Sequence, residues 1–497
     1  MLRKKKGVDC VGEKKKLTIL HSNDMHGDFL AEDADGALLG GVSMLSGYIQ
    51  KVRREEENVL YAIAGDMFRG SVIDSEYKGV STIGIMNMLA PDVVTLGNHE
   101  VDYGVAHLLF LEKCARFPII NANMYIATNR RRMFRSHIVL EKGGMRILFI
   151  GVLTQKVLSA TKQDPLIGSF VDVHEAAEEV GRICNIYRTE DIDLTVLLTH
   201  IGIEEDKALA AALDPRWGVD LIIGGHSHTL LEEPCVVNGV PIVQAACGTD
   251  QIGRFDIVVD TAANAIDSYS WKLIPVTPEV CPRDPALEEV VAGYKAETDS
   301  KYERFVTRLA ERYTHPVRNR ETQLGKLLAD ALRDALGVDL VFLGSGSIRG
   351  EALGPIVRYR DLAQIYPYND EFYRIEVTGE QLRRMVRFIL REEGGLGGFS
   401  SFYQVSRGFR AEYDMSQKQL VSLSFNGYEV QDHDRFTVGL QSYHMNNIKK
   451  VLGINPEEVS HPRRPKVLCT RSGDVLEEYL GAQELLRVSD ETRIVLR

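Results

Sequence analysis

The stretch Leu17-Thr-Ile-Leu-His21-Ser-Asn-Asp24-Met-His26-Gly27 decides how the rest of the chain is read. A short apolar, β-branched run reads as a strand, and side chains able to ligate a metal follow it at once. The pattern recurs along the first half. The run 59–64 precedes Gly65-Asp66, 93–96 precedes Gly97-Asn98-His99-Glu100, 194–198 precedes Thr199-His200, and 220–223 precedes Gly225-His226-Ser227-His228. Further strands are predicted over 146–152, 241–245 and 255–259, and an amphipathic helix over 172–189. Strands alternating with helices predict an α/β domain whose sheets are buried.

Working outward, the chain of 497 residues is long enough for two to four domains. With 44% hydrophobic and 26% charged residues it has an ordinary globular composition, which excludes disorder as the main state. No apolar run approaches the length of a membrane helix. A net charge of −11 disfavours nucleic acid polymers and anionic membranes as partners. The basic start, residues 1–15, lacks an apolar stretch behind its charges, so it reads as a solvated tail rather than a signal peptide. Seven scattered cysteines with no CxxC pair fit reduced thiols, and with them a cytoplasmic location.

Pro275, Pro278, Pro282 and Pro285 mark a linker, and a charged helix of sparse apolar spacing is predicted from 286 to about 312 as a surface connector. A second α/β unit follows, with helices predicted over 322–336 and 379–391, a strand over 340–343, a glycine-rich loop at 394–398 and a closing strand over 435–440. Arg384, Arg387 and Arg391 share a helix face and read as a solvated surface.

Ligands of open α/β sheets bind at the carboxyl ends of strands, so Asp24, His26, Asp66, Asn98, His200, His226 and His228 are expected to meet in one cleft. Taken singly, each is an ordinary turn or surface residue. Five such elements in a row, each behind a strand-like run, point to metal. Imidazole and carboxylate without thiolate suit zinc, manganese or iron. Seven ligands exceed one tetrahedral site but suit two ions sharing a carboxylate. Ions about 3.5–4 Å apart can clamp a phosphoryl group and activate water.

These motifs resemble the calcineurin-like metallophosphoesterases, and from about Leu17 onward the chain is similar to the 5′-nucleotidase family. The resemblance implies a layered sandwich of two mixed sheets flanked by helices over 16–275, a linker and connecting helix over 276–318, and a smaller substrate-binding α/β domain over 319–497. It implies two divalent cations (manganese, zinc, iron, cobalt or magnesium). One would be held by Asp24, His26, Asp66 and His228, the other by Asp66, Asn98, His200 and His226, with Asp66 bridging. It makes His99 and Asp102 the catalytic pair. An imidazole beside a metal ligand can stabilise or protonate phosphoryl oxygens, and a carboxylate can orient it.

In the second half, Gly344-Ser-Gly-Ser-Ile-Arg349 resembles the family's glycine-rich phosphate motif, which makes Arg349 a substrate ligand. Phe402 is the candidate base-stacking aromatic. The chain departs from the family at Gly344, where Asn is usual, and after Met445, where Asn446-Asn-Ile-Lys-Lys450 stands in place of a Gly-Gly-Asp-Gly-aromatic segment. The expected substrate is a small phosphorylated molecule, a nucleoside 5′-monophosphate first. The alternatives are a cyclic-nucleotide phosphodiesterase, a nucleotide-sugar or dinucleotide pyrophosphatase and, from another class, a nucleotide-binding sensor.

Overall fold

The computed structural model describes residues 13–34, 36–126, 129, 131–153, 167–168, 172–391, 402–460 and 464–497. The basic cluster at 3–6 and the glycine-rich loop at 394–398 lie outside the described residues. The chain divides into two units, Met1–Thr298 and Asp299–Arg497.

The first unit is built on two six-stranded sheets. One runs in the order Ala265–Pro275, Gln251–Asp260, Lys14–Ser22, Val59–Ala64, Val93–Thr95 and Ile119–Ile120. The other runs Cys235–Val237, Val240–Val243, Leu221–Ile223, Leu194–His200, Met145–Leu153 and His137–Lys142. In each, four neighbouring strands are parallel and the remaining pairings are antiparallel. The class is therefore α/β with mixed sheets. Leu17, Ile19, Leu60, Ala62 and Val93 of the first sheet pack with Ile147, Phe149, Val196, Leu198 and Ile223 of the second. The opposite faces are covered by helices. Val42–Glu55, Val80–Leu89 and Val105–Cys114 flank the first sheet, and Val173–Ile186 and Ile203–Ala212 flank the second. Burial on both faces explains why the central strands read as unbroken apolar runs rather than alternating ones.

Four expectations are corrected. The basic tail does not extend through residue 15, because Lys14 opens the first strand. It pairs with Asp260 in the ladder, and its ammonium lies 2.7 Å from Asp267. The connecting helix runs Pro285–Tyr302, not to 312, and Phe305–Arg308 is a strand paired with Ile356–Arg358. Val306 and Thr307, both β-branched, are buried there, which favours the extended form. Nor is that helix a purely surface connector, since Leu287 and Val291 sit in the first unit's core. The chain also continues past the strand Arg435–Gln441 through Lys466–Cys469, the helix Ser472–Gly481 and Ile494–Leu496, which pairs in parallel with Phe409–Asp414.

The second unit has a five-stranded sheet in the order Tyr403–Val405, Leu340–Gly344, Arg435–Gln441, Phe372–Thr378 and Lys466–Cys469. Helix Gln323–Leu336 is capped by Thr322, whose hydroxyl accepts from the Gly325 N–H, and ends at Gly337 in the left-handed region. Helix Gly379–Leu390 starts with a reciprocal cap between Thr378 and Gln381. On this helix Arg384 is held by Glu458 at 2.6 and 3.1 Å.

The most consequential ion pair of this unit is interior. Arg493, 0% exposed, donates to both oxygens of Asp330 (2.8 and 2.7 Å) and to the Val405 carbonyl (2.7 Å). Removing one partner of such a pair strands the other charge away from water. Asp330→Ala is therefore expected to cost about 3–5 kcal/mol of unfolding free energy in urea titration. A loss under about 1 kcal/mol, the value of a surface pair, would show that solvent reaches Arg493.

Candidate active site

Each predicted ligand lies at or just after the carboxyl end of a strand, and the loops beyond are held by backbone hydrogen bonds. Asp24 N donates to Gly65 O (3.0 Å), His26 N to Asp66 O (2.9 Å) and Gly27 N to Met67 O (2.9 Å), which ties the first loop to the second. Asp24, His26, Asp66, His226 and His228 all have positive φ, between 49° and 79°. Non-glycine residues avoid this region, and such strain gathers where function requires a fixed side-chain direction. Glycines make room for the approach. A Cβ on Gly97 would collide with the Asp66 carboxylate, and one on Gly225 would lie 2.6 Å from the Ala64 carbonyl.

The side chains meet in three overlapping groups, with ligand atoms inside each group within 4.8 Å of one another: Asp24, His26 and His228; His26, Asp66 and His99; Asp66, His200 and His226. His26 and His228 face each other through Nε2 at 3.1 Å, and His228 Nε2 is 3.3 Å from Asp24 Oδ1. Asn98 joins through its Oδ1, 2.9 Å from His226 Nδ1. Asp66 belongs to two of the groups, and its Oδ2 is 3.1 Å from His200 Nε2.

These residues suit cations. His200 is fully buried and its Nδ1 donates to the Ala64 carbonyl (2.8 Å), yet its Nε2 makes no hydrogen bond. It lies 3.1 Å from Asp66 Oδ2 and 3.8 Å from Asp24 Oδ1 without the alignment of a hydrogen bond to either, which leaves a buried ligand atom in need of a partner. With the side chains alone, burial lowers the His200 pKa, but Asp66 and then Asp24 reverse this and push it up to about 10. Burial likewise opposes the charge on Asp66, but His200 and His99 outweigh it and hold its carboxyl well below the usual range. A cation placed between them would take the role of that proton.

His99 stands at the edge of this cluster, 32% exposed. Its backbone N–H donates to Asp66 Oδ1 (2.9 Å), and its Nδ1 donates to Asp102 Oδ2 (2.6 Å). That bond raises its pKa against the opposing effect of burial, with Asp66 adding to the rise. For Asp102, burial is outweighed by His99 and Arg69, which keep it ionised below the ordinary range.

Glu100, quoted in the motif but given no role by sequence reasoning, proves to be a scaffold. Fully buried, it accepts the backbone N–H groups of Gly97 (2.6 Å), Met67 (2.7 Å) and Asp66 (3.1 Å). Burial, then repulsion from Asp66, pushes it up to about 7. Asn23 was likewise passed over. It donates to Asp24 Oδ2 (2.7 Å) and to Ala246 O (2.6 Å) while accepting from Ala245 N (2.9 Å). Its position directly before a ligand was the only signal.

In the second unit Arg349 is exposed and stacks on Tyr368, its Nε donating to the phenol oxygen (2.7 Å). Phe402 is corrected: its side chain is 2% exposed and belongs to the hydrophobic core with Leu340, Phe342 and Met385, so it offers no face to a base. Its backbone instead serves the glycine motif, because Ser345 N donates to Phe402 O (2.7 Å). The departure at Gly344 also has a cause. A Cβ there would lie 2.5 Å from Nε2 of the buried His444, whose Nδ1 is bonded to the Tyr403 hydroxyl (2.7 Å).

Residues 17–230 match the family model of calcineurin-like phosphoesterases, and residues 296–451 match that of the 5′-nucleotidase C-terminal domain. The 5′-nucleotidase of Mus musculus is 26% identical over 540 aligned positions, covering 96% of this chain and 90% of the relative. That of Homo sapiens is 27% identical, covering 81% and 76%. The crystal structure of a 5′-nucleotidase precursor from Thermus thermophilus shares the fold, with a TM-score of 0.58 at 23% identity over 97% of this chain and 99% of that one. Calcineurin-like phosphoesterases typically bind two metals, and the overlapping His/Asp groups of this chain are of that kind. The chain is a hydrolase of the 5′-nucleotidase family, with a calcineurin-like metallophosphoesterase domain followed by a 5′-nucleotidase C-terminal domain.

Proposed function

We propose that the chain hydrolyses nucleoside 5′-monophosphates to nucleoside and phosphate. The observation that carries this reading is the chain of overlapping His/Asp groups, two of which share Asp66. Asp24, His26, Asp66 and His228 would hold one divalent cation, and Asp66, Asn98, His200 and His226 the other. Such a pair supplies positive charge to phosphoryl oxygens and activates water. Asp66 places its charge between the two sites. Asn98 adds a neutral oxygen that leaves the charge balance to the carboxylates. His99 presents its remaining ring nitrogen beside the cluster, where it stabilises or protonates a substrate oxygen while Asp102 fixes the ring.

The nucleotide as substrate is supported by the family of the second unit and by Arg349, whose exposed guanidinium follows a turn of small residues. Such a turn offers backbone N–H groups to a phosphate, and arginine adds a bidentate charged contact. Hydrolysis assayed with manganese across nucleoside phosphates and p-nitrophenyl phosphate tests the reading, and a metal-loaded protein inactive on every ester refutes it. Arg349→Ala should cost about 2–3 kcal/mol in kcat/KM for the nucleotide, the range of a lost charge-assisted contact. The loss on p-nitrophenyl phosphate should be much smaller, and equal losses would show that Arg349 does not bind the nucleotide.

A further inference from the structure

Arg69 lies three residues after Asp66 and has no role in the reading above. Its backbone is in the left-handed region, at φ 66°. The conformation is enforced: Arg69 N donates to Asp74 Oδ2 (2.8 Å), and Gly70 packs so tightly on His26 that a Cβ would strike the His26 carbonyl. Asp74 is itself buried and fixed by the Tyr103 hydroxyl (2.7 Å). The loop that carries Asp66 thus fixes the backbone of Arg69.

The side chain is 60% exposed, and its Nη1 donates to Asp102 Oδ2 at 2.7 Å, the same oxygen that takes His99 Nδ1. Among the described residues the guanidinium has no other hydrogen-bond or ion-pair partner, so most of its five N–H groups face solvent. An exposed ion pair adds little stability, and a strained backbone subtracts some. Stability therefore does not account for this arginine. Arg69 and His99 meet at one oxygen of Asp102, which sets the free N–H groups of the guanidinium near the imidazole. The cluster and His99 would take the scissile phosphoryl, and a further phosphate would find the charge of Arg69 next to them through the shared Asp102.

We propose that Arg69 is an anion subsite beside the metal centre that binds a non-transferred phosphate, extending the range from nucleoside monophosphates to phosphoanhydride substrates such as nucleoside diphosphates. The proposal rests on the phosphoesterase reading of the cluster. Asp102 holds the guanidinium in place, and its planar fork matches two phosphate oxygens.

The test compares wild type, Arg69→Met and Arg69→Gln as metal-loaded full-length protein. Calorimetric affinities are measured for methylenebisphosphonate and methylphosphonate, together with kcat/KM for a nucleoside diphosphate and p-nitrophenyl phosphate. In both variants the preference for the bisphosphonate over the monophosphonate should fall at least about tenfold, with a matching fall in the ratio of kcat/KM values. Glutamine keeps a donor for Asp102 without the charge, so a wild-type preference in Arg69→Gln would assign Arg69 to holding Asp102 and overturn the proposal. A preference unchanged in Arg69→Met overturns it as well. Wild type that hydrolyses neither ester refutes the phosphoesterase reading, and the affinity comparison still decides Arg69.

Discussion

Asp66→Asn should leave the protein folded, empty it of most of its transition metal, and lower kcat by on the order of 10³ or more. The side chain is nearly isosteric, and the oxygen that accepts the His99 N–H (2.9 Å) survives as the amide carbonyl. What disappears is the charge that faces His200 Nε2 at 3.1 Å and takes part in two of the three ligand groups. Losing a shared carboxylate weakens both cation sites together, whereas losing a peripheral ligand such as His228, 45% exposed, weakens one. Elemental analysis after reconstitution, with circular dichroism to verify folding, checks the result. Two equivalents of tightly held metal in Asp66→Asn would show that Asp66 does not bridge.

His99→Ala should separate chemistry from loading. The metal content should stay at the wild-type level while kcat falls by roughly 10²–10⁴, the range for a positioned acid–base or charge-stabilising group. His99 is bonded through Nδ1 to Asp102, so at most one ring nitrogen faces the cluster, and its link to Asp66 runs through its backbone N–H, which alanine retains. His226→Ala provides the contrast, since it removes an imidazole that touches Asn98 and should lower metal content and activity together. A kcat for His99→Ala within about threefold of wild type on the best substrate would refute its catalytic role.

Much of the first unit was legible because its candidate ligands sit where strands stop. The runs around Leu20, Ile63, Leu198 and Ile223 are buried on both faces, so hydrophobicity alone marks them, and a residue of the His/Asp cluster follows a few positions after each run. Tertiary pairings were not legible. Arg69 and Asp102 are 33 residues apart, and nothing local to either announces the shared oxygen. Glu100 was hidden because its partners are backbone N–H groups, which every residue but proline carries. In the second unit Phe402 was misread because an aromatic residue in a motif looks the same whether it faces a ligand or fills a core, and Leu340 and Met385 decide that from distant positions. The break after Tyr302 was missed because charged residues on both sides of it suit a helix, while the competing preference of Val306 and Thr307 needs a partner strand more than 45 residues away.

The placement of the ligand set has a mechanical consequence. Asp24, His26, Asp66 and Asn98 hang from one sheet, and His200, His226 and His228 hang from the other. Between the sheets lies an apolar seam of Leu, Ile, Val and Phe, whose adhesion is strong but non-directional. A cation gripped from both sides would rivet one end of that seam. The rivet exists only when both sheets are in place, so its binding energy counts toward the native state alone, about 2.7 kcal/mol when free metal stands at a hundred times its dissociation constant. Metal scarcity would then loosen the sandwich as well as silence it, and the lifetime of the molecule would follow the supply of the ions it works with.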